Sequence, residues 1–272
     1  MARGRVFVGT SGYAYKGWHD RFYPADLPRK DELAYYAGHF NCVEINASFY
    51  RLPTEKAVKA WAARTPKDFR FCMKVSRYIT HQKRLIDPDL HVPRFMEPIR
   101  ALGGKRGPLL LQLHPNMKPI LFRLDETLAA FGKHAKGWPV AVEIRNAAWY
   151  GPELNGLLDR HNASLVLHDM PASRNESANR KALLVYIRFH GPTGDYGGHY
   201  SRKKIAYYAD LLRPHLESGR DVWAFFNNDR DVGAIGNADE LREMLEKVPG
   251  RKRSSTVSTE VIHSGERPNA GV

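Results

Sequence analysis

The sequence predicts a single-domain α/β protein, a (β/α)8 TIM barrel, and three observations support that prediction. Short apolar runs alternate with stretches of helical spacing along most of the 272-residue chain. Eight such runs can close a parallel barrel through helical crossovers, and a barrel of this type needs roughly 250 residues. No Gly-x-Gly-x-x-Gly follows the first run, which disfavours the alternative of a doubly wound open sheet.

The predicted strands are short runs rich in Val, Ile, Leu and Phe. In chain order they are Val6–Gly9, Val43–Asn46, Arg70–Val75, Leu109–Leu113, Val140–Ile144, Ser164–His168, Leu184–His190 and Val222–Asn227.

The predicted helices occupy the stretches between these strands. In chain order they are Asp31–Phe40, Glu55–Ala63, Pro93–Leu102, Leu121–His134, Pro152–Arg160, Lys203–Leu216 and Ala238–Leu245. Thr54 and Asn237 stand where N-caps are expected, each followed by a carboxylate in the first turn. The polar segment Pro171–Lys181 has no helical pattern and is the weakest point of the alternation.

Composition indicates a globular protein. Residues 1–249 are expected to form the barrel and residues 250–272 a flexible basic tail, since the tail has few large apolar residues. No apolar run is long enough to cross a membrane, and the first ten residues leave no room for a signal peptide, so a cytoplasmic protein is expected. Cys42 and Cys72 lie in apolar runs, which favours buried thiols over a disulfide or a metal pair.

The formal net charge of +13 is the strongest compositional indication of a partner. Residues 250–272 contain four Lys or Arg and two Glu, so the tail accounts for +2 and the remaining +11 belongs to residues 1–249. Such an excess attracts anions, and nucleic acid and phosphorylated small molecules are the candidates. The alternative is a diffuse charge without a partner.

Polar residues replace apolar ones at the carboxyl ends of most predicted strands, often two residues apart and therefore on one face. These residues are Glu44, Asn46, Lys74, Gln112, His114, Glu143, Arg145, His168, Asp169, Arg188, His190, Asn227 and Asn228. A buried Glu143–Arg188 ion pair would explain part of this pattern structurally. Because so many buried polar groups must pair, hydrate or bind something, the pattern also predicts a ligand site at the carboxyl end of the barrel.

Roles follow from residue chemistry. Glu143 is the predicted acid/base group, with Glu44 or Asp169 as its partner, since crowded carboxylates differ in pKa. His190 and His81 are further proton carriers. Arg188, Arg145 and Lys74 would bind the anionic part of a substrate. A divalent metal is possible but not favoured, because these cations occupy the same region and no His-x-His motif is present.

Three loops are expected to border the site. Thr10 and Ser11 could offer backbone N–H groups to an oxyanion, or could belong to a tight turn before an aromatic cluster. Tyr50 and Arg51 follow the second strand, as a stacking wall would. Tyr196 lies in the Gly-rich segment 191–200, which suits a mobile lid.

Several motifs resemble the YecE-like family, the domain-of-unknown-function family numbered seventy-two. They are Gly9-Thr-Ser-Gly12, Phe22-Tyr-Pro24, Tyr35-Tyr36, Val43-Glu-Ile-Asn46, Phe49-Tyr-Arg51, Thr65-Pro66, Ile79-Thr-His81, Glu143-Ile-Arg145, Arg188-Phe-His-Gly191, Tyr196 and Phe226-Asn-Asn-Asp229. The resemblance spans about residues 5 to 248 and implies a TIM barrel without an established activity. Ala47 and Ser48 depart from it, where a Thr is expected before the Phe-Tyr pair. An analogy to barrel endonucleases of the endonuclease-four type rests on fold and charge alone.

Two functional hypotheses follow. The first is an enzyme that hydrolyses a phosphorylated or nucleic-acid substrate by acid/base catalysis. The alternative is a non-catalytic barrel that binds nucleic acid through its basic surface, with an affinity that falls steeply as salt is added. Carboxylates in a pocket would repel phosphate, so Glu44 and Glu143 favour the enzyme. The oligomeric state is left open.

Overall fold

A computed structural model describes residues 2–230 and 232–247, so the predicted tail 250–272 lies outside the described residues. Strands and helices alternate within them. The strands are β1 (Val6–Thr10), β2 (Cys42–Ile45), β3 (Arg70–Lys74), β4 (Arg106–Gln112), β5 (Val140–Glu143), β6 (Ser164–Leu165), β7 (Leu167–His168), β8 (Leu184–Phe189) and β9 (Asp221–Phe226). The α-helices are α1 (Glu32–His39), α2 (Ala47–Tyr50), α3 (Glu55–Ala63), α4 (Pro88–Ile99), α5 (Leu121–His134), α6 (Pro152–Arg160), α7 (Arg202–Glu217) and α8 (Gly233–Glu246).

All strand pairs are parallel and form two sheets. One has the order β1-β9-β8-β7 and the other β2-β3-β4-β5-β6. The predicted sixth strand is divided at Val166 into β6 and β7, which pair with different sheets. The prediction of an α/β fold with parallel strands is confirmed.

Both sheets contribute to one apolar cluster. It contains side chains from β1 to β5, from β8 and β9, and from Val166, the residue between β6 and β7. Its members are Phe7, Cys42, Cys72, Leu110, Ala141, Val166, Leu184, Tyr186, Trp223 and Phe225. Both cysteines are free and buried, as predicted. A second, larger apolar cluster packs the other faces of the strands against the helices.

Helix α4 begins five residues before its predicted start, which is therefore wrong. Proline is favoured in the first helical turn because its missing N–H has no partner there in any case. The chain offers two such prolines, and Pro88 rather than Pro93 begins the helix. The predicted N-cap Thr54 is confirmed, since its Oγ1 accepts a hydrogen bond from the Ala57 amide at 3.2 Å.

Asn237 is not an N-cap, because α8 begins at Gly233 and places this residue one turn inside the helix. Its fully buried side chain instead joins the segment before α7 to α8. Its Oδ1 accepts hydrogen bonds from the Tyr200 amide at 3.0 Å and from Asn228 at 3.1 Å, and its Nδ2 donates to the Tyr200 carbonyl at 3.0 Å. Hydrogen bonds to the distant Tyr200 and to Asn228 thus take the place of the capping bond expected within the first turn of α8.

The polar segment Pro171–Lys181 contains one short 3-10 turn at Pro171–Ser173, in agreement with the absence of a helical pattern.

Within residues 2–230 and 232–247, none of the helices is both long and apolar enough to span a membrane.

Replacing Asn237 with Ala should lower the free energy of unfolding by about 2–4 kcal/mol, because buried partners on Tyr200 and Asn228 lose their hydrogen bonds. Urea denaturation of the purified protein measures this change. The control is Asn155→Ala at an exposed position of α6, which should change stability by no more than about 0.5 kcal/mol. Equal effects of the two substitutions would contradict the anchoring role of Asn237.

Candidate functional site

A cavity of about 680 Å³ lies at the carboxyl ends of the strands. Strand-end residues and the loops that follow them form its wall. The lining residues are Tyr15, Asn46, Phe49, Tyr50, Lys74, His81, Gln112, His114, Pro115, Arg145, Met170, Ala172, Ser173, Tyr196, Asn227 and Asp229. Its size suits a small molecule or a single nucleotide unit.

The one-turn helix α2 positions the aromatic part of this wall. Ser48 is buried at its start, and its hydroxyl shares one proton between the Ile45 carbonyl at 2.9 Å and the Lys74 carbonyl at 2.7 Å, which joins the ends of β2 and β3. Phe49 is thereby held against the Lys74 ammonium, which lies 4.4 Å from its ring centroid. Tyr50 is left 67% exposed at the rim.

His81 reaches the cavity from one turn of π-helix, Tyr78–Gln82. Such turns add a residue to a helical segment and are frequent at functional sites. The ring of His81 lies edge-on to Phe49 at 4.9 Å, and its Nδ1 is 2.8 Å from Thr80 Oγ1. Burial lowers the pKa of His81 to about 4, and His114 and Lys74 add to this effect. His81 is therefore neutral at pH 7 and can accept a proton.

Below the cavity, Arg188 is completely buried between two glutamates. Its Nη2 and Nε donate to Glu44 at 2.7 and 3.0 Å, and its Nη1 donates to Glu143 at 2.8 Å. Glu44 also accepts hydrogen bonds from Tyr186 at 2.6 Å and Ser11 at 2.7 Å. Burial alone would raise the pKa of Glu44, but Arg188 outweighs it, so the pKa is lowered and the group stays ionised.

Glu143 lies between Arg188 and Arg145. Arg145 donates from Nε to Glu143 Oε1 at 2.6 Å, and the Arg145 side chain is 9% exposed, on the cavity wall. Burial raises the pKa of Glu143, but Arg145 and Arg188 together hold it well below the ordinary value. Glu143 is therefore a permanent carboxylate that orients Arg145, and it does not itself border the cavity.

His190 is held in one tautomer. Its Nε2 accepts hydrogen bonds from Arg145 at 3.1 Å and Arg188 at 3.2 Å, so Nδ1 carries the proton and donates to Asp169 at 3.1 Å. Burial lowers the pKa of His190 to about 4. Asp169 in turn accepts a hydrogen bond from Tyr200. His190 is neutral, both of its ring nitrogens are hydrogen-bonded, and it lies behind Arg145 instead of on the cavity wall.

Lys74 is a partly buried cation on the cavity wall. Among the described residues no carboxylate oxygen lies within ion-pair distance of its ammonium, and the Phe49 ring is its close neighbour. Burial lowers the pKa of Lys74 to about 7, and Arg188 adds to this effect. Lys74 therefore exists in both protonation states near neutral pH.

Asp229 is the carboxylate that the described residues place on the cavity wall. Burial raises its pKa, and the nearby Tyr15 hydroxyl partly offsets this effect. Among the described residues, the wall thus combines the cations Lys74 and Arg145 with one carboxylate.

The predicted site residues divide into three groups. On the cavity wall lie Asn46, Tyr50, Lys74, His81, Gln112, Arg145, Tyr196 and Asn227. In the buried network below or beside it lie Glu44, Glu143, Asp169, Arg188, His190, Thr10, Ser11 and Asn228. Arg51 is exposed and away from the wall. The catalytic roles expected of Glu44, Glu143, Asp169 and His190 remain predictions, and this geometry assigns them the positioning of Arg145 and Arg188.

Several wall residues were not selected from the sequence as site residues. Phe49 and Asp229 stand in motifs already noted, so their position in the chain was a usable signal, and Tyr15 lies three residues after the Gly9-Thr-Ser-Gly12 motif. His114, one of the polar strand-end residues from which a ligand site was predicted, lies on this wall. Ala172 and Ser173 come from the segment without a helical pattern, and Met170 immediately precedes it. Their residue types carry no chemical indication of a site, and only the path of the chain brings them to the opening.

Internal hydrogen bonds and one glycine turn define the conformation of the loops beside the cavity, and the predicted mobile lid stays a prediction. Gly191 has a φ of +94°, and a Cβ at that position would lie 2.3 Å from the Gly197 carbonyl oxygen. The Tyr196 amide donates to the His190 carbonyl at 2.7 Å, and the Gly191 amide donates to Tyr200 Oη at 2.7 Å. Thr10 Oγ1 donates to the Gly12 carbonyl at 2.6 Å within a tight turn.

Across residues 2–230 and 232–247, no group of three or more His, Cys, Asp or Glu side chains has an arrangement that could hold a metal ion.

Parallel strands with a polar cavity at their carboxyl ends define an α/β protein whose strand-end loops form the wall of that cavity. Within that class, the chain belongs to the family described as "Protein of unknown function DUF72", which matches residues 7–259. The resemblance drawn from the sequence motifs is thereby confirmed.

Two relatives and one solved structure illustrate the relationship. The UPF0759 protein YunF of Bacillus subtilis is 25% identical over 280 residues, covering 89% of this chain and 95% of YunF. The UPF0759 protein YecE of Escherichia coli is 40% identical over 87 residues, 32% of each chain. The crystal structure of a DUF72 family protein of Thermotoga maritima is 25% identical, with a TM-score of 0.78 over 89% of this chain and all of that one.

Replacing Arg188 with Met should lower the free energy of unfolding at pH 7 by about 3–5 kcal/mol, because buried Glu44 loses its counter-charge and buried Glu143 keeps only Arg145. The pKa values of Glu44 and Glu143 are lowered in the folded protein, so their contribution is complete above the ordinary Glu pKa of about 4.3 and is lost as the pH falls through the lower values. In the variant, Arg188 no longer outweighs burial at Glu44 and the pKa of Glu44 rises, so the loss of stability should become smaller from pH 8 to pH 5.

Chemical denaturation at several pH values tests this prediction. Arg5→Met provides the control, since the Arg5–Asp221 ion pair is exposed and its loss should cost about 0–1 kcal/mol at every pH. A deficit in the Arg188 variant that stays constant or grows on acidification would contradict the proposed charge state of the two glutamates.

Proposed function

We propose that this protein is an enzyme that hydrolyses a phosphate-bearing substrate at the carboxyl ends of the strands of one (β/α)8 barrel. The observation that carries the proposal is that Lys74 and Arg145 both lie on the wall of a cavity to which the described residues contribute a single carboxylate, Asp229. Two cations held in a concave, partly buried surface attract an anion strongly, because water screens them poorly.

Three observations support closure of the two sheets into one barrel. A bridge between Ser11 and Glu44 links the end of β1 to β2. On the other side, β6 and β7 are consecutive parts of one strand, and the Val166 amide between them donates to the Val142 carbonyl at 3.0 Å. All strand positions also share one inner apolar cluster. A (β/α)8 barrel has its active site at the carboxyl face.

Arg145 is suited to binding a phosphoryl oxygen. Its Nε and Nη2 are occupied by Glu143 and His190, while its Nη1 has no hydrogen-bond partner among the described residues. Fixing two nitrogens of the planar guanidinium determines the direction of the others, so little entropy is lost when an anion binds.

Lys74 and His81 are suited to acid/base chemistry. The imidazole of His81 is neutral at pH 7 and can accept a proton from a water molecule that attacks phosphorus. Lys74, with a pKa of about 7, can donate a proton to the leaving oxygen of the ester. The bond from phosphorus to the leaving group then breaks as the bond to water oxygen forms, and the Arg145 charge stabilises the developing negative charge.

Two amide oxygens suggest the rest of the substrate. Asn46 Oδ1 and Gln112 Oε1 are buried beside the cavity and have no hydrogen-bond donor among the described residues. Unsatisfied buried acceptors are costly, so a ligand that supplies O–H or N–H groups gains affinity. A phosphorylated sugar or nucleoside meets both requirements.

Non-catalytic nucleic-acid binding is the second candidate. It is favoured by the exposed rings of Tyr50 and Tyr196 at the rim, which are 67% and 39% exposed and can stack on bases. The net charge of +13 supports it too. Binding without turnover, with a steep dependence on salt, would favour this candidate over the enzyme.

Replacing Lys74 with Met should abolish hydrolysis of p-nitrophenyl phosphate and bis-p-nitrophenyl phosphate. In the native protein, kcat/KM should be highest between about pH 4 and about pH 7. It should fall below that range as His81 becomes protonated and above it as Lys74 loses its proton. Lys203→Met at an exposed position is the control and should retain full activity. Equal hydrolysis by the native protein and the Lys74 variant would refute the proposal.

Replacing Glu143 with Gln separates direct catalysis from positioning. If Glu143 acts by orienting Arg145, KM should rise about tenfold or more while kcat changes less, because anion binding is weakened first. If Glu143 itself transfers protons, kcat should fall by roughly 10²–10⁴-fold. Steady-state kinetics measures both quantities, and circular dichroism verifies that the variant is folded.

A further inference from the structure

A second concave surface, distinct from the cavity just described, lies at the opposite ends of the strands. It has a volume of about 360 Å³ and is formed by the segments that precede β4 and β5. Its lining residues are Arg100, Gly103, Arg106, Lys133, His134, Ala135, Lys136 and Trp138. We name this surface the basal pocket.

The basal pocket and the cavity are separated by the length of one strand. Arg106 begins β4 and lines the basal pocket, whereas Gln112 ends β4 and lines the cavity. Six residue steps of a parallel strand span about 20 Å. A single small ligand therefore cannot occupy both.

The basal pocket is strongly cationic. Four Lys or Arg side chains and His134 line it, and the carboxylate that contacts this group is Asp89, at 3.2 Å from Lys133 and 3.1 Å from His134. Within the described part of the chain, Arg100, Arg106 and Lys136 have no carboxylate oxygen within ion-pair distance. Like charges at this density repel one another unless an anion binds among them.

Backbone carbonyls rather than carboxylates orient the two guanidinium groups. Arg100 Nη2 donates to the His134 carbonyl at 3.0 Å. Arg106 donates from Nε to the Gly137 carbonyl at 3.1 Å and from Nη1 to the Gly103 carbonyl at 3.1 Å. These contacts hold each guanidinium in place without neutralising it, which leaves its full charge for a ligand.

Trp138 adds an aromatic surface to this charge. It is partly buried, packs against the core and lines the same pocket. Indole beside guanidinium and ammonium groups suits a ligand that combines phosphate with a base ring, because every base can stack on an aromatic face.

We infer that the basal pocket is a binding site for the phosphate groups of a nucleotide, with Arg100, Arg106 and Lys136 on the phosphate and Trp138 beside the base. The same chemistry is offered by a free nucleotide and by single-stranded nucleic acid. The site is separate from the proposed hydrolytic cavity and does not require it to be active.

Fluorescence anisotropy with the full-length protein tests the inference. Two probes distinguish the sources: a mononucleotide, N-methylanthraniloyl-ADP, and a fluorescein-labelled single-stranded oligonucleotide. Lys136→Glu should weaken binding of whichever probe binds by about tenfold or more and, for the oligonucleotide, should reduce the salt slope by about one. Arg100→Gln provides a second variant with a similar expected loss.

Two controls make the outcome decisive. Lys203→Glu makes the same charge change on an exposed part of α7 and should leave the affinity within about twofold. Lys74→Met removes a cation of the other cavity, so any probe binding that this variant abolishes belongs to that cavity and not to the basal pocket. Failure of both probes to bind, binding insensitive to Lys136 and Arg100, or binding lost in the Lys74 variant would each overturn the inference.

Discussion

The ion pairs of buried Arg188 with Glu44 and Glu143 are the interactions on which the rest of the architecture depends. It extends from β8 of the four-stranded sheet and binds Glu44 of β2 and Glu143 of β5, both in the five-stranded sheet. Removing these charges from water costs several kcal/mol for each ion, and the cost is recovered only where every donor has a partner. Bidentate contact with Glu44 and a third bond to Glu143 meet that condition. The two sheets are thereby held in one relative position beneath the cavity.

The ionic network also determines what the cavity can do. Its carboxylates neutralise Arg188 and orient Arg145, and they do not face the ligand space. A phosphate would therefore contact the cations Lys74 and Arg145 instead of the two glutamates. The repulsion between phosphate and carboxylate, which the presence of Glu44 and Glu143 in the sequence suggested, is thereby avoided. His190 completes the layer, because two guanidinium groups and Asp169 occupy both of its ring nitrogens. In the proposed hydrolysis, proton transfer at the cavity wall is assigned to groups without an ion-pair partner among the described residues, such as Lys74.

Much of the fold could be predicted from local patterns. Seven of the eight apolar runs became single strands, and the capping role of Thr54 depends on its immediate neighbours. Errors arose where a distant contact competed with a local one. Asn237 has the chemistry of an N-cap, but its amide group binds Tyr200 and Asn228, and α8 extends one turn further back. The break at Val166 has a similar origin, since β6 and β7 pair with strands of different sheets.

The sequence by itself determined the alternating elements, the polar strand ends and the family, because these depend on residue periodicity and on motifs of a few neighbouring residues. It also determined that Lys74, His81, Gln112 and Arg145 lie near one site. Only the tertiary structure decided which polar groups face the cavity and which form hydrogen bonds and ion pairs with one another. Glu143 and Arg145 lie two residues apart at one strand end, yet Glu143 is fully buried beneath Arg145, which lies on the cavity wall. Depth below a surface is set by packing among distant strands, and no local spacing encodes it.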